Sequence, residues 1–220
     1  MIIGLCGLAG SGKDTSANFI MEYNNSYQRL SFADAVKDVV ALAFGWDRRL
    51  LQGDTQKSRD WREQEDPFWR MSPRKAMQLT ATDCFRNIIR DDFWVKAVEK
   101  KIRDTPNQNY VITDVRFPNE VKMIHQNGGE IWQIKRSEDN PVWWGIAEKA
   151  NGYNCSDENE HHTCIELMDD IYRDVHVSEW ALAGNRDIQI ENIIINNFGS
   201  LEDLRSIIFE KMKMMETFYE

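Results

Sequence analysis

The sequence predicts an α/β fold: a three-layer α/β/α sandwich on a mainly parallel sheet, enlarged by helical and lid-like insertions. Two observations carry this. Short apolar runs such as "IIGLC", "YVIT" and "EIWQIKR" alternate with segments of helical period, the pattern of a parallel sheet covered on both faces. The first of those runs also ends in a loop dense in glycine, "GLAGSGK", which opens directly into a helical segment.

Taken in order, residues 2–6 read as a short buried strand and residues 14–23 as a helix with Phe19 and Ile20 on its apolar side. Residues 28–32 give a second strand. Residues 33–44 place Val36, Val39, Val40, Ala43 and Phe44 on one helical face, and Gly45 stops that helix. Residues 47–72 are polar and rich in Arg, Asp and Trp, a connection with short helices. Pro73 starts a helix expected to run to Ile89, and another covers residues 93–103. "TPNQN" separates it from a strand at residues 110–113. "PNEVKMIHQNGG" is a helix closed by Gly128. "EIWQIKR" and "IQIENIIINN" hold the last two strands, and residues 200–215 the last helix, with Ser200 as its N-cap. Residues 137–174 carry no strand pattern and read as an insertion. The expected organisation is one domain over residues 1–220, with a helical region at about 47–103 and the lid-like insertion at about 137–174.

The 220 residues carry a net charge of -9, which argues against broad binding to a polyanion. No apolar run approaches the roughly 20 residues needed to span a bilayer, and the N-terminus lacks the basic stretch of a secretory signal. The four cysteines, Cys6, Cys84, Cys155 and Cys164, are too scattered for a disulfide framework. A soluble, cytoplasmic chain with reduced thiols is expected, without nucleic-acid or membrane partners; a homodimer is compatible with it.

Gly7 to Lys13 supplies G-x-x-x-x-G-K between a strand and a helix. In that context the glycines let the backbone turn with several N–H groups aimed inward, and the helix N-terminus adds positive potential for phosphate oxygens. Gly7, Gly10, Ser11, Gly12 and Lys13 would grip a nucleotide triphosphate, with Lys13 reaching the outer phosphates. Asp14 stands where the usual phosphate loop has Ser or Thr. Thr15 or Asp14 would then meet Mg²⁺, directly or through water. Asp14 read alone is equally a helix-start carboxylate.

Two further stretches carry chemistry. In "VITDVRFPNE", Asp114 lies at the carboxyl end of a strand, where open parallel sheets place ligands. Arg116 would fork onto a phosphate beside it, and Glu120 starts the following helix; Asp114 with Arg116 also reads as a structural ion pair. In "PRKAMQLTATDCFRNIIRDDFWV", Arg74 and Lys75 open a helix that offers Thr82 and Arg86, with Trp94 after it. Basic groups there would bind an acceptor phosphate and an aromatic would stack on a base. The plainer reading is an amphipathic helix burying Met77, Cys84 and Ile88.

Residues 7–15, "RKAMQLTATD", "WV", "TDVRFPNE", "IKR", "HVSE" and "NNFGSLEDL" occur in the order seen in phage-type deoxynucleoside monophosphate kinases, and the chain resembles that family outside residues 47–72 and 137–174. The D-x-R-x-x-x-E run is the more specific match. The resemblance implies a P-loop kinase-type fold and transfer of the γ-phosphoryl of ATP, with Mg²⁺, to a deoxynucleoside monophosphate. It implies that Asp114, Arg116 and Glu120 contact the deoxynucleotide, and that Arg74, Lys75, Ala81, Thr82 and Trp94 line the same pocket. Arg136 would approach from the lid. The chain departs from the family at Thr80-Ala81-Thr82, where Leu-Gly-Thr is common.

The acceptor is already an ionised phosphate oxygen, so the reaction implied needs alignment and charge stabilisation rather than a strong base; Lys13, Arg74 and Arg116 are the residues expected to supply them. A kinase for another small acceptor, such as dephospho-coenzyme A, and a regulatory nucleotide-binding module are the rival readings. No N-K-x-D guanine motif is visible. Cys155, His161, His162 and Cys164 match no standard zinc spacing and read as a polar surface loop. His176 and Glu179 echo the family run, with helix capping or loop anchoring as the alternative.

Overall fold

Ile2–Cys6 forms β1, buried at all five positions. Period-two alternation sends Ile3 and Leu5 to one face of the sheet and Gly4 to the other. Ile3 and Leu5 join a core cluster with Ala17 and Ile20 of helix α1 (Lys13–Tyr23) and with Leu204, Ile208 and Met212 of helix α11 (Leu201–Tyr219). On the other face a side chain at Gly4 would strike Ile124 of helix α7 (Pro118–Gln126). Helices thus cover both faces of the sheet, which gives the three layers. The computed structural model describes residues 1–185 and 193–219, with the side chains of residues 218 and 219 excepted.

The sheet holds β1, β2 (Tyr27–Leu30), β3 (Asn109–Ile112), β4 (Glu130–Lys135) and β5 (Ile194–Asn196), in the order β2-β3-β1-β4-β5. The pairs β1–β3, β1–β4 and β4–β5 are parallel. Central β1 pairs with β3 on one side and β4 on the other, so the carboxyl end of β1 opens at a switch in strand order, where such sheets bind ligands. The expected last strand began before Ile194; its residues 188–192 lie outside the described residues. Ser200 caps α11 as expected, its Oγ accepting the Asp203 N–H at 3.2 Å.

The chain folds as two compact units, Met1–Arg29 with Asn107–Glu220, and Leu30–Pro106. The first holds the sheet just described. It also holds α8 (Trp144–Ala150), α9 (Glu158–Asp170) and α10 (Val177–Trp180). These form a small core of their own around Ala147, Ala150, Cys164, Met168 and Ala183, so most of the strandless segment 137–174 is helical. Here Cys155 donates its thiol to the Lys149 carbonyl, a His161 ring nitrogen lies 3.2 Å from the Ala150 carbonyl, and Cys164 is buried.

The second unit is helical: α2 (Phe32–Phe44), α3 (Arg48–Gln52), α4 (Gln56–Glu63), α5 (Pro73–Gln78) and α6 (Phe93–Asp104). Side-chain caps start four of them, at Ser31, Asp47, Thr55 and Ser72. Val36, Val40, Leu51, Ala76 and Trp94 form its core. Ala43, expected on the buried face of α2, is exposed. The helix expected at residues 73–89 leaves the α conformation after Gln78 and continues as a π-helix over Leu79–Arg86. Wider turns rotate the following side chains off the 3.6-residue stripe. Ala81 and Phe85 therefore pack on the core, while Cys84 is exposed and Ile88 stands 78 % exposed, against the expectation that both would be buried.

Candidate active site

The glycine loop leaves the carboxyl end of β1 and feeds α1. Gly7, Gly10 and Gly12 have φ of 138°, 74° and 104°, values that favour glycine. At Gly7 a Cβ would also collide with the Ile134 carbonyl oxygen. Buried Asn197, just past β5, fixes the loop by donating its amide to the Ser11 carbonyl at 2.8 Å. The Ser11 hydroxyl is buried within the loop without a hydrogen-bond partner.

Lys13 donates its ammonium to the carbonyls of Gly7 and Leu8 at 2.7 and 2.8 Å, folding back over the loop. Burial lowers its pKa, the Arg116 guanidinium lowers it further, and Glu179 and Asp14 oppose them. Thr15 is half-buried in the first turn of α1. Asp14 points outward, 72 % exposed, and pairs with Arg29. The Asp14 carboxylate that stands in the usual hydroxyl position is thus turned toward a cation.

Asp114 lies two residues past the end of β3 and is half-buried. Arg116 finds its ion-pair partner in Glu179. Glu179 also accepts the Ala9 N–H of the glycine loop at 2.9 Å, so one carboxylate ties Arg116 to the loop. His176 caps α10 by accepting the Ser178 N–H at 3.2 Å. The alternative kept open for these two residues is thus the arrangement found, with His176 capping and Glu179 anchoring. Glu120, which the resemblance sets against the nucleotide, is 2 % exposed. Its carboxylate accepts the N–H groups of Arg116 and Phe117 at 2.7 and 3.0 Å. Those bonds fix the Arg116 backbone.

Arg116, Glu179, Arg136 and the loop residues Gly7 to Ser11 line a cavity of about 520 Å³ within the first unit, and Trp144 of α8 adds an aromatic wall. Arg136 is exposed at the end of β4. The lining brings the glycine loop together with two guanidinium groups, one of them paired with Glu179, and an apolar surface beside them.

The remaining expected residues lie in the second unit. Arg74 is exposed at the start of α5 and pairs with Glu63; Lys75 and Thr82 are exposed. The Ala81 carbonyl accepts the Trp94 indole N–H at 2.9 Å. Trp94 is 2 % exposed, packed by Phe85 and Phe93 at ring-centroid distances of 4.7 and 4.9 Å. It is a core residue rather than the expected base-stacking platform, because its faces are already covered.

Sequence reasoning did not assign Asn197 a role. Its signal was the "NNFGS" run, where an amide follows an apolar strand in a position that becomes buried.

Comparison with known proteins then decides the family. A family model described as deoxynucleotide monophosphate kinase matches residues 54–161. A protein of Acanthamoeba polyphaga mimivirus assigned as a putative deoxynucleotide monophosphate kinase is 31 % identical over 150 residues, covering 62 % of this chain and 74 % of the relative. The chain belongs to the deoxynucleotide monophosphate kinase family. A deoxynucleoside-5'-monophosphate kinase of Escherichia phage T5 is 27 % identical over 180 residues, 57 % of this chain and 72 % of the relative. A solved dephospho-CoA kinase from Campylobacter jejuni aligns over 97 % of this chain and 96 % of its own at 13 % identity, with a TM-score of 0.39, too low to carry weight. The family match runs through much of residues 47–72 and 137–174, which the sequence resemblance left out. As a member of a kinase family the chain is a phosphotransferase. Among the described residues no helix is long and apolar enough to cross a membrane.

Proposed function

We propose that this protein transfers the γ-phosphoryl group of ATP to a deoxynucleoside monophosphate, giving the diphosphate and serving deoxynucleotide supply for DNA synthesis. The observation that carries the reading is the glycine loop at the switch point of a parallel sheet, with Lys13 at the mouth of α1, in a chain of this kinase family.

A triphosphate fits what the loop offers. Residues Gly7 to Ser11 line the cavity, a hydroxyl at Ser11 is buried without a partner, and Gly7 and Gly12 leave no room for a Cβ. Gly10 and the rest of the loop would hold the β- and γ-phosphates, and Lys13 would leave its two carbonyls for them. Thr15 would hold Mg²⁺ through its hydroxyl, a hard oxygen ligand suited to that ion. Asp14 serves the metal only through water, since Arg29 holds it. Bound magnesium would neutralise charge on the phosphate oxygens during transfer.

On the acceptor side, Arg74, Lys75 and Thr82 are exposed polar groups of the second unit, and the Ala81 backbone is the group nearest them in sequence. Asp114 and Arg116 belong to the first unit, where Arg116 has Glu179 as a competing anion. Arg116 and Arg136 would stabilise charge on the transferred group. The acceptor oxygen is ionised at neutral pH, so no side chain is required to take a proton.

Purified protein with Mg²⁺ and γ-labelled ATP, challenged separately with each deoxy- and ribonucleoside monophosphate, tests this. Label in a deoxynucleoside diphosphate is the expected result, with deoxy acceptors ahead of ribo. Equal turnover of both sugars would remove the sugar preference. ATP binding without transfer to any of the eight would refute the kinase reading in favour of a regulatory module.

A further inference from the structure

The second unit contains a guanidinium group with a buried donor left unpaired. Arg62 lies on α4, half-buried, and its Nε is buried with no hydrogen-bond partner. A guanidinium carries five donors in a fixed fork, and leaving a buried donor unmade is costly. The neighbourhood worsens the position. Burial pulls the Arg62 pKa down, and Arg74 and Arg59 add repulsion that Glu63 and Asp54 only partly offset. Both neighbouring cations are occupied, since Arg74 pairs with Glu63 and Arg59 donates to the carbonyls of Gly53 and Asp54. Arg62 shares neither arrangement.

Gly53 explains why the group stays there. Its φ is +77°, and a Cβ at that position would overlap the Arg62 guanidinium. The chain therefore closes helix α3 with a glycine and sets the Arg62 head directly on that backbone. The result is three guanidinium groups, from Arg59, Arg62 and Arg74, around two carboxylates. Such a cluster suits a doubly charged anion presented as a fork, which a phosphate monoester is.

We propose that Arg62 is a phosphate-binding residue of the second unit, acting with Arg74 on the 5'-phosphate of the acceptor nucleotide. This rests on the reading above that Arg74 serves the acceptor. Arg62 supplies the unpaired donors, and Arg74 exchanges Glu63 for the phosphate. No covalent change at either residue is involved.

The test compares wild type with Arg62→Ala, Arg62→Lys and Arg74→Ala, with folding checked by thermal melts. Acceptor KM and kcat are measured with each deoxynucleoside monophosphate, ATP affinity by equilibrium dialysis, and binding of inorganic phosphate by ³¹P line broadening. Loss of a charge-assisted contact predicts that Arg62→Ala raises acceptor KM about 10- to 100-fold and weakens phosphate binding in parallel, with ATP affinity unchanged. Arg62→Lys recovers only part, because a point charge replaces a fork. A folded Arg62→Ala protein with wild-type acceptor KM and wild-type phosphate binding overturns the proposal. If Arg62→Ala does not fold, Arg62→Lys with wild-type values does the same. Arg74→Ala separates the two ideas: if it leaves acceptor kinetics untouched while Arg62→Ala weakens phosphate binding, the anion site at Arg62 stands and the role given to Arg74 falls. If wild type phosphorylates no deoxynucleotide, the phosphate arm alone decides for or against Arg62.

Discussion

Replacing Glu179 by glutamine tests the tie between Arg116 and the glycine loop. The change keeps shape and an oxygen for the Ala9 N–H, now 2.9 Å away, but removes the charge that faces Arg116. The pair is 21 % exposed at Glu179 and 35 % at Arg116. That places it between surface pairs, which contribute up to about 1 kcal/mol, and buried pairs, whose breaking costs about 3–5 kcal/mol. A loss of about 1–3 kcal/mol at pH 7 follows from this position between the limits. The pH dependence sharpens the test. Burial pushes the Glu179 carboxyl up, but Arg116, the Ala9 amide and Lys13 outweigh it and hold the pKa below its ordinary 4.5. A carboxylate depressed by folding stabilises fully above its unfolded pKa and loses that contribution as pH falls through the folded value. The difference between wild type and Glu179→Gln in urea unfolding should therefore be present at pH 7 and shrink as the pH drops below about 4. An equal difference at both ends of that range, or none at pH 7, would refute an electrostatic tie.

Other expectations follow from the same geometry. Lys13→Ala should keep the fold, because the ammonium holds only two loop carbonyls, yet lower single-turnover transfer by at least about 100-fold; an unchanged rate would remove Lys13 from the chemistry. Trp94→Ala should cost about 3–5 kcal/mol in denaturant unfolding, as for other buried aromatics. Unchanged stability with a raised acceptor KM would instead restore a stacking role for it. Among the thiols, exposed Cys84 should react with a chromogenic disulfide in the native protein, whereas Cys6, whose pKa burial pushes up to about 12, should react only on unfolding; fast native labelling of Cys6 would contradict the packing of β1.

The fold was legible where one local rule decided each element. The short apolar runs "IIGLC" and "EIWQIK" and the glycine stops at Gly45 and Gly128 needed no knowledge of distant residues. The reading failed where a local rule gave the wrong period. From Leu79 onward the chain turns as a π-helix, so a stripe counted at 3.6 residues assigned Cys84 and Ile88 to the inside and undervalued Phe85. Nothing in "LTATDCFR" announces that change. The backbone adopts it where Ala81 offers its carbonyl to Trp94 and Phe85 packs against the same ring.

The site shows the same division more sharply. Gly7, Gly10, Gly12 and Lys13 are adjacent in sequence because a phosphate cradle is a local backbone structure, and a motif can therefore reveal it. What holds the cradle in place is not local. Glu179 reaches Ala9 from 170 positions away, and Asn197 reaches Ser11 from 186. No spacing rule links residues so far apart; the sheet order, which sets β4 beside β1 and β5 beside β4, brings the segments after those parallel strands to the same end of the sheet as the glycine loop. Glu120 inverts the case. Its spacing from Asp114 and Arg116 suggested a shared ligand, yet the same spacing puts its carboxylate at the start of α7, where two amide N–H groups need an acceptor. A short acidic motif at a strand–helix junction is thus ambiguous in sequence between ligand and cap; what burial adds is the capping half, a carboxylate closed over by its own loop that shapes the site through the Arg116 backbone.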